Sequence, residues 1–177
     1  MMVWNWIDRT PRRVLALISL ACVALLACGL YLQHVVGLVP CPMCIVQRYA
    51  LIGLALLTGL ASARSAKGWW LTLSALAALT AGFGATVAAR QSWLQWYPPQ
   101  SVSCGRDFYG MIESFPLSRA IPMILRGSGD CAAVDWSLLG GSIANWSFLC
   151  FALLGLLLLA LLARGVRGAR QRAPAPV

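Results

Sequence analysis

The chain has 177 residues, of which 60% are hydrophobic and 11% charged, and its mean hydropathy is +0.76. A water-soluble domain of this length cannot bury so much apolar surface, so the composition predicts an integral membrane protein. The formal net charge of +9 raises nucleic-acid binding as an alternative. No surface of alternating basic and aromatic residues accompanies that charge, so we expect no nucleic-acid partner.

Four apolar runs lie at about residues 14–32, 45–63, 69–89 and 143–163. Each run is about 20 residues long, which is enough for a helix to cross a hydrocarbon core of about 30 Å. Helices satisfy their own backbone hydrogen bonds, as lipid requires. The predicted fold class is therefore all-α, a four-helix integral membrane bundle forming a single domain. Around the four spans we predict outer loops at about 33–44 and 90–142 and a basic tail at 164–177.

The first run has two interpretations. Arg12 and Arg13 followed by an apolar stretch resemble a signal peptide, and Leu25–Cys28 resembles a lipoprotein cleavage box. The run is longer than the apolar core of about 7–15 residues in a secretory signal, and it continues past Cys28. We therefore favour an uncleaved first helix over a cleaved leader.

The charges predict an orientation in the bilayer. Nine basic residues and one acidic residue lie before the first span, between the second and third, and after the fourth. The segment from 90 to 135 holds four basic and four acidic residues. By the positive-inside rule, both termini and the middle loop are cytoplasmic, and the two remaining loops lie on the outer side.

The seven cysteines fall into two groups. Three lie in apolar runs, where thiols are usually inert packing groups: Cys22, Cys28 and Cys150. Four lie in the predicted outer loops: Cys41, Cys44, Cys104 and Cys131. In an oxidising compartment, four cysteines imply two disulfides with three possible pairings. Proximity in sequence favours Cys41–Cys44 and Cys104–Cys131.

The first cysteine pair lies in the stretch Pro40-Cys41-Pro42-Met43-Cys44. The two prolines end the first helix and hold the loop extended, so we expect the second helix to begin near Met43 or Cys44. A thiolate in its first turn is favoured by the helix N-terminus. So small a disulfide ring constrains the chain little, which favours a redox-active pair over a structural one.

A metal site is the alternative use of these four cysteines. Structural zinc is usually held by two closely spaced pairs of thiolates, whereas Cys104 and Cys131 are 27 positions apart. We therefore expect no metal. No dinucleotide-binding glycine motif or haem-attachment motif is present either, so a lipid-soluble quinone is the natural electron acceptor.

Two charged or titratable residues flank the dithiol in sequence. Arg48 is four residues after Cys44 and shares its helix face, so it either anchors to lipid phosphates or serves the dithiol. We favour the role at the dithiol. For His34, we favour contact with lipid headgroups over proton handling. The second outer loop is rich in proline and glycine, and residues 117–125 have partly helical spacing. An irregular loop and a short membrane-parallel helix both remain open there.

Taken together, these stretches resemble the disulfide bond formation protein B family (DsbB). The matching residues are Gln33-His34-Val35, Pro40-Cys41 with Cys44 and Arg48, Leu94-Gln95 with Tyr97-Pro98 and Cys104, and Ser128-Gly129-Asp130-Cys131 with Trp136 and Leu139-Gly140. The resemblance implies an inner-membrane enzyme that reoxidises a periplasmic thioredoxin-like oxidant, DsbA. The DsbA–DsbB–quinone system is known to keep the bacterial periplasm oxidising.

The resemblance also implies roles for individual residues. The partner's thiolate attacks the Cys104–Cys131 disulfide and forms a mixed disulfide through Cys104. Electrons then pass from Cys131 to the Cys41–Cys44 pair. Cys44 faces the quinone, either ubiquinone or menaquinone, and Arg48 helps to hold it.

One position departs from the family pattern. Some members have a histidine near the quinone after the third span, and Gln91 occupies the equivalent place here. Three alternatives remain: a paralogue with one dedicated partner, an enzyme like vitamin K epoxide reductase, and a non-enzymatic scaffold with structural disulfides. The paired motif of vitamin K epoxide reductase lies late in the chain, whereas here it opens the second span.

Overall fold

The computed structural model of this chain describes residues 11–98, 129–132, 134 and 136–170. In this part of the chain the elements are α1 (Pro11–His34), α2 (Pro42–Ala63), α3 (Lys67–Trp96), the short helix α4 (Gly129–Ala132), β1 (Ser137–Leu138), β2 (Gly141–Ser142) and α5 (Ile143–Arg170). The helices α1, α2, α3 and α5 are long and apolar enough to cross a membrane. The prediction of an all-α, four-helix membrane bundle is confirmed.

The four long helices pack in series, with α1 against α2, α2 against α3 and α3 against α5. One core cluster runs through all four of them and includes Leu15, Leu54, Ala77 and Leu158. Many leucines, such as Leu79, remain exposed on the outside of the bundle. This pattern suits a membrane, because lipid tails solvate apolar side chains and the helices need only small residues and complementary shapes to associate.

Small residues set how closely α3 and α5 approach. A β-carbon at Gly84 of α3 would overlap the ring of Phe151 on α5. Near the opposite end of the same pair, a β-carbon at Gly165 would lie 2.5 Å from the indole of Trp70. Each glycine therefore forms a depression that an aromatic ring fills, which is the packing that membrane helices favour.

The ends of the helices differ from the predicted spans. Helix α2 begins at Pro42, slightly before the predicted start, because proline fits the first helical position, where an N–H has no partner within the helix. Helix α3 continues to Trp96, beyond the predicted limit at residue 89. Its last turns are polar in sequence, but Gln91 and Gln95 find hydrogen-bond partners inside the protein.

A small hairpin precedes α5 and was not predicted. Strands β1 and β2 pair antiparallel through a two-residue turn, in which Leu139 has φ 52° and Gly140 has φ 80°. Positive φ at both positions is the requirement of a type I′ turn. Ser142 Oγ donates to Gln95 Oε1 at 2.5 Å and accepts from the Asn145 N–H at 3.3 Å. One hydroxyl therefore caps α5 and ties the hairpin to α3.

The end of the bundle opposite the cysteines is held by contacts between side chains and backbone. Arg12 of α1 donates to the carbonyl oxygens of Ser62 at 2.8 Å and Ala63 at 3.2 Å, which are at the end of α2. The indole of Trp69 donates to Leu60 O at 2.9 Å, and the Arg64 guanidinium lies 4.9 Å from the centre of the Trp69 ring. Cations are favoured at a helix C-terminus, where carbonyl groups have no partner within the helix.

Candidate functional site

Cys41 is the N-cap of α2. Its backbone is extended, with φ −71° and ψ 161°, and Pro42 follows at the first helical position. The Cys41 Sγ accepts a hydrogen bond from the Cys44 N–H at 3.3 Å. A sulfur therefore takes the place of the oxygen that usually caps a helix. The positive end of the helix dipole faces both cysteines and favours negative charge on sulfur.

The two sulfur atoms of this motif lie side by side. Cys41 Sγ and Cys44 Sγ are 2.8 Å apart, longer than the about 2.05 Å of a disulfide bond, so the structure shows a pair of thiols. Cys41 is only 8% exposed, and Cys44 is half-buried. Closing the disulfide requires only a small movement of the two side chains, because one helical turn already holds them in contact.

A third cysteine joins this pair. Cys131 lies on α4, which packs against α3, and its side chain is fully buried in a cluster with Cys41, Val87 and Leu94. Its thiol is within hydrogen-bonding reach of the Cys41 sulfur. The pKa of Cys41 is raised by the hydrogen bond with Cys131, then by the one with Cys44 and by burial. A thiolate on Cys41 is therefore disfavoured while both neighbours are reduced.

Three of the four predicted redox cysteines thus come together at one end of the bundle. The fourth, Cys104, lies outside the described residues, as does the segment in which a membrane-parallel helix was considered. The pairing of Cys104 with Cys131 therefore stays a prediction. The resemblance to DsbB implied electron transfer from Cys131 to the Cys41–Cys44 pair, and Cys131 lies beside Cys41 in the structure. The 89 positions between Cys41 and Cys131 contain no local pattern that brings α4 onto the dithiol.

Two buried glutamines lie beside the dithiol, Gln91 on α3 and Gln47 on α2. Gln91 Nε2 donates to Cys41 Sγ and to Cys44 Sγ, each at 3.3 Å. Gln47 of α2 donates through Nε2 to Gln91 Oε1 at 2.7 Å. Gln91 and Gln47 are 4% and 5% exposed. Gln47 was missed in the sequence, although a polar residue inside a membrane span is itself an indication of function.

Arg48 follows Gln47 on α2. Whereas Gln47 contacts α3, Arg48 contacts α1. Its guanidinium donates to Gln33 Oε1 and to the backbone oxygen of Gly29, the latter at 3.1 Å. These contacts hold the guanidinium against α1, at the cavity that Cys41 and Cys44 also line, and a role of Arg48 at the dithiol stays a prediction. His34, in the last turn of α1, is exposed. Its contact with lipid headgroups stays a prediction.

An apolar cavity of about 350 Å³ opens beside Cys44. Its apolar wall comes from α1, α2, the hairpin region and α5, and includes Leu32, Leu51, Trp136, Trp146 and Phe151. Both Cys41 and Cys44 border it, and the other polar residues that line it are Gln33, Gln47, Arg48, Gln91, Gln95 and Ser147. A mostly apolar cavity with a few convergent polar groups is the usual form of a small-molecule site.

The cysteines expected to be inert divide between two surroundings. Cys22 is buried in the core of the bundle, as expected of a packing residue. Cys28 and Cys150 line the cavity instead. Neither belongs to the cluster formed by Cys41, Cys44 and Cys131.

A comparison of the sequence with models of known families identifies one match. The family model described as "Disulfide bond formation protein DsbB" matches residues 11–161. The chain belongs to the DsbB family. The match includes all of the cysteines considered above, so DsbB membership and the clustered thiols together support a role in disulfide bond formation.

Individual relatives extend the likeness over nearly the whole chain. A disulfide bond formation protein B from Acidovorax sp. (strain JS42) is 75% identical over 165 residues, covering 93% of this chain and 95% of the relative. The protein of that name from Paracidovorax citrulli is 72% identical, covering 96% and 97%. A more distant one from Marinobacter nauticus is 40% identical, covering 82% and 88%.

Proposed function

We propose that this DsbB-family protein reoxidises a periplasmic, thioredoxin-like oxidant of the DsbA type and passes the electrons to a membrane quinone. The observation that carries the proposal is the contact of Cys131 with Cys41. It joins a cysteine from the second outer loop to a dithiol at the edge of an apolar cavity. A structural disulfide framework needs no such junction between cysteine pairs.

The exchange steps balance when both pairs begin as disulfides. A thiolate of the partner attacks Cys104 of the Cys104–Cys131 disulfide, and Cys131 leaves as a thiolate. Cys131 then attacks Cys41 of the Cys41–Cys44 disulfide, and Cys44 leaves as a thiolate. The partner's second thiolate releases the partner as a disulfide and frees Cys104.

One further exchange completes the relay. Cys104 attacks Cys131 of the Cys41–Cys131 disulfide, which restores the Cys104–Cys131 pair and frees Cys41. Two electrons have then moved from the partner to Cys41 and Cys44. The surroundings of Cys44 favour its role as leaving group, because the α2 N-terminus and the Gln91 amide both stabilise negative charge on its sulfur.

The cavity suits a quinone by its chemistry. Its apolar wall would suit a prenylated ring, and Arg48 and Gln33 would hold the ring oxygens. A quinone bound there supplies a two-electron, two-proton acceptor for the dithiol. The Arg48 guanidinium has five N–H donors, so it can keep its contacts to α1 and still donate to a ligand in the cavity. Ubiquinone and menaquinone both match this description.

The proposed orientation places the cysteine end of the bundle in the periplasm. The basic residues at the opposite end, including Arg12, Arg64 and Lys67, support a cytoplasmic location for that end. Labelling of intact cells with a membrane-impermeant maleimide tests it. After reduction, Cys104 should react from outside. Reaction of Cys104 only in inverted vesicles would contradict the orientation.

A coupled assay tests the proposed reaction. The purified protein in detergent is mixed with a reduced thioredoxin-fold oxidant and a ubiquinone or menaquinone analogue, and quinone reduction is followed by absorbance. We expect one quinone reduced for each partner disulfide formed. A scaffold with structural disulfides gives no quinone-dependent oxidation, and that outcome would overturn the proposal. The ratio of kcat/KM for the two analogues identifies the preferred quinone.

A further inference from the structure

The two buried amides beside the dithiol carry an inference that rests on the proposed function. We propose that Gln91 is a catalytic residue whose amide stabilises the reduced Cys41–Cys44 pair, and that Gln47 is a positioning residue that sets the direction of that amide.

The Gln91 nitrogen lies beside the two sulfur atoms of the dithiol. Its Nε2 lies 3.3 Å from Cys41 Sγ and 3.3 Å from Cys44 Sγ, so one NH₂ group serves both sulfurs. An NH₂ group has two hydrogens and can donate to both acceptors together. Hydrogen bonds to an ionised acceptor are about twice as strong as those between neutral groups. The contact is therefore stronger when either sulfur becomes a thiolate than when both are joined in a disulfide.

Gln47 sets the orientation of the Gln91 amide. A side-chain amide can present either its oxygen or its nitrogen to a neighbour. The Gln47 NH₂ group donates to Gln91 Oε1 at 2.7 Å and so holds that oxygen on the side of α2. Since both side chains are almost fully buried, water competes little with the hydrogen bond between Gln47 and Gln91. Gln47 therefore keeps the Gln91 nitrogen directed at the sulfurs.

The side chains of Gln91 and Gln47 are uncharged amides. Amides do not titrate, so they donate to sulfur without adding a charge to the membrane edge. Cys44 Sγ lies 3.8 Å from Gln91 Oε1, so in the thiol form the same amide can accept a hydrogen bond from the Cys44 S–H. The pair of glutamines accommodates both the thiol and the thiolate of Cys44 without rearrangement of the helices.

The consequence is a more oxidising dithiol. Any interaction that stabilises the reduced pair over the disulfide raises its reduction potential, which favours electron transfer into Cys41 and Cys44. We expect loss of the Gln91 donor to shift the equilibrium with glutathione about tenfold toward the disulfide. For a two-electron couple this is a fall of about 30 mV in the potential.

The test measures that potential in the full-length chain, with Cys104 and Cys131 replaced by Ser and Cys22, Cys28 and Cys150 replaced by Ala. The purified protein is equilibrated in glutathione buffers, trapped by alkylation, and the reduced fraction is read by mass spectrometry. Neither quinone nor partner is needed. Failure of the parent pair to interconvert between dithiol and disulfide would contradict the proposed function rather than the role of the amides.

Three substitutions of the same kind then separate the roles. Gln91→Met should lower the potential by about 30 mV, which corresponds to a tenfold shift. Gln47→Met should lower it by less, and the double variant should match Gln91→Met alone, since Gln47 acts only through Gln91. Gln95→Met is the matched control, because that amide lies on the same helix but accepts from Ser142 rather than donating to sulfur.

Each role has a result that would overturn it. An unchanged potential in Gln91→Met overturns the proposal, and an equal fall in Gln95→Met shows a general effect of removing amides and overturns it as well. Additive effects of the two substitutions refute the positioning role of Gln47. If Gln91→Met does not fold, Gln47→Met still tests the proposal, because it leaves Gln91 in place and removes only the contact that orients it.

Discussion

The two ends of α2 present opposite charges to their surroundings and serve different purposes. At the N-terminus, the Cys41 sulfur accepts from the Cys44 N–H at the positive end of the helix dipole. At the C-terminus, Arg12 donates to the carbonyl oxygens of Ser62 and Ala63 at the negative end. The same dipole supports redox chemistry at one end and helix docking at the other. Substitutions at the two ends should therefore differ in kind, one affecting rate and the other stability.

The largest effect is expected at the cysteine end. In the proposed relay, the Cys41 sulfur receives electrons from Cys131, and Cys41→Ser replaces it by a hydroxyl that cannot form the required disulfide. We expect quinone reduction by the reduced partner to fall to the uncatalysed rate, with thermal unfolding little changed. Cys22→Ala is the control, since Cys22 lies in the core away from the dithiol. Normal turnover in Cys41→Ser would disprove the relay.

A smaller effect is expected at Arg48, one turn along the same helix. Arg48→Met keeps the apolar stem and removes the charge that lines the cavity. Loss of a charged hydrogen-bond partner costs about 1.5–3 kcal/mol, so the KM for quinone should rise roughly ten- to a hundredfold. Mixed-disulfide formation between the partner and Cys104, measured without quinone, should keep its rate. An unchanged KM would leave Arg48 only its contacts to α1.

The third prediction concerns the pH dependence of Cys41. Its pKa is raised, chiefly by the hydrogen bond with Cys131. In the fully reduced protein, the thiolate fraction below the raised pKa is therefore smaller than in an ordinary cysteine, and it grows as pH rises. We expect Cys41 to be alkylated more slowly than free cysteine at pH 8. Cys131→Ala should speed the reaction on the order of tenfold, since one pKa unit changes the thiolate fraction tenfold.

A pH series separates this effect from simple access to the sulfur. Greater access multiplies the alkylation rate equally at every pH, whereas a lower pKa moves the pH at which the rate levels off. If Cys131→Ala leaves that pH unchanged, the neighbouring thiol does not control Cys41.

The smallest effect is expected at the other end of α2. Arg12→Met removes two hydrogen bonds to the end of the helix, and each typical hydrogen bond contributes about 0.5–1.5 kcal/mol. The contacts are exposed, so we expect a fall of about 1 kcal/mol in the free energy of unfolding in detergent, with kcat and KM unchanged. Arg13→Met is the control, since it loses the same charge and no hydrogen bond from Arg13 is seen among the described residues. A fall in turnover without a loss of stability would show that the two ends are not independent.

The sequence predicted the parts of the molecule that follow from local composition. Apolar length alone gave the four spans, and the proline pattern gave the start of α2 to within two residues. The extension of α3 to Trp96 was missed because Arg90, Gln91 and Ser92 are polar, and polar residues at a span's end usually mark a loop. These residues stay helical because two of them are buried against the rest of the bundle.

The site was predictable in its residue types but not in its contacts. Cys41, Cys44 and Arg48 are close in sequence, so one helical turn brings them together. The contacts of Gln91 with the sulfurs and of Cys131 with Cys41 depend on how α3 and α4 pack, and no local pattern encodes that packing. The hairpin was missed for a simpler reason, since its two-residue turn is Leu139-Gly140, and leucine rarely adopts the positive φ that such a turn requires.

The hydroxyl of Ser142 has a consequence for the dynamics of the cysteine end. It donates to Gln95 and accepts from Asn145, so the hairpin, the end of α3 and the first turn of α5 share one oxygen atom. Segments that depend on a common contact open together in native-state hydrogen exchange, as one cooperative unit. The amide of Asn145 should therefore exchange at the rate of the hairpin amides. Trp146 Nε1 also donates to Leu138 O, so we expect this wall of the cavity and the first turn of α5 to open as one unit.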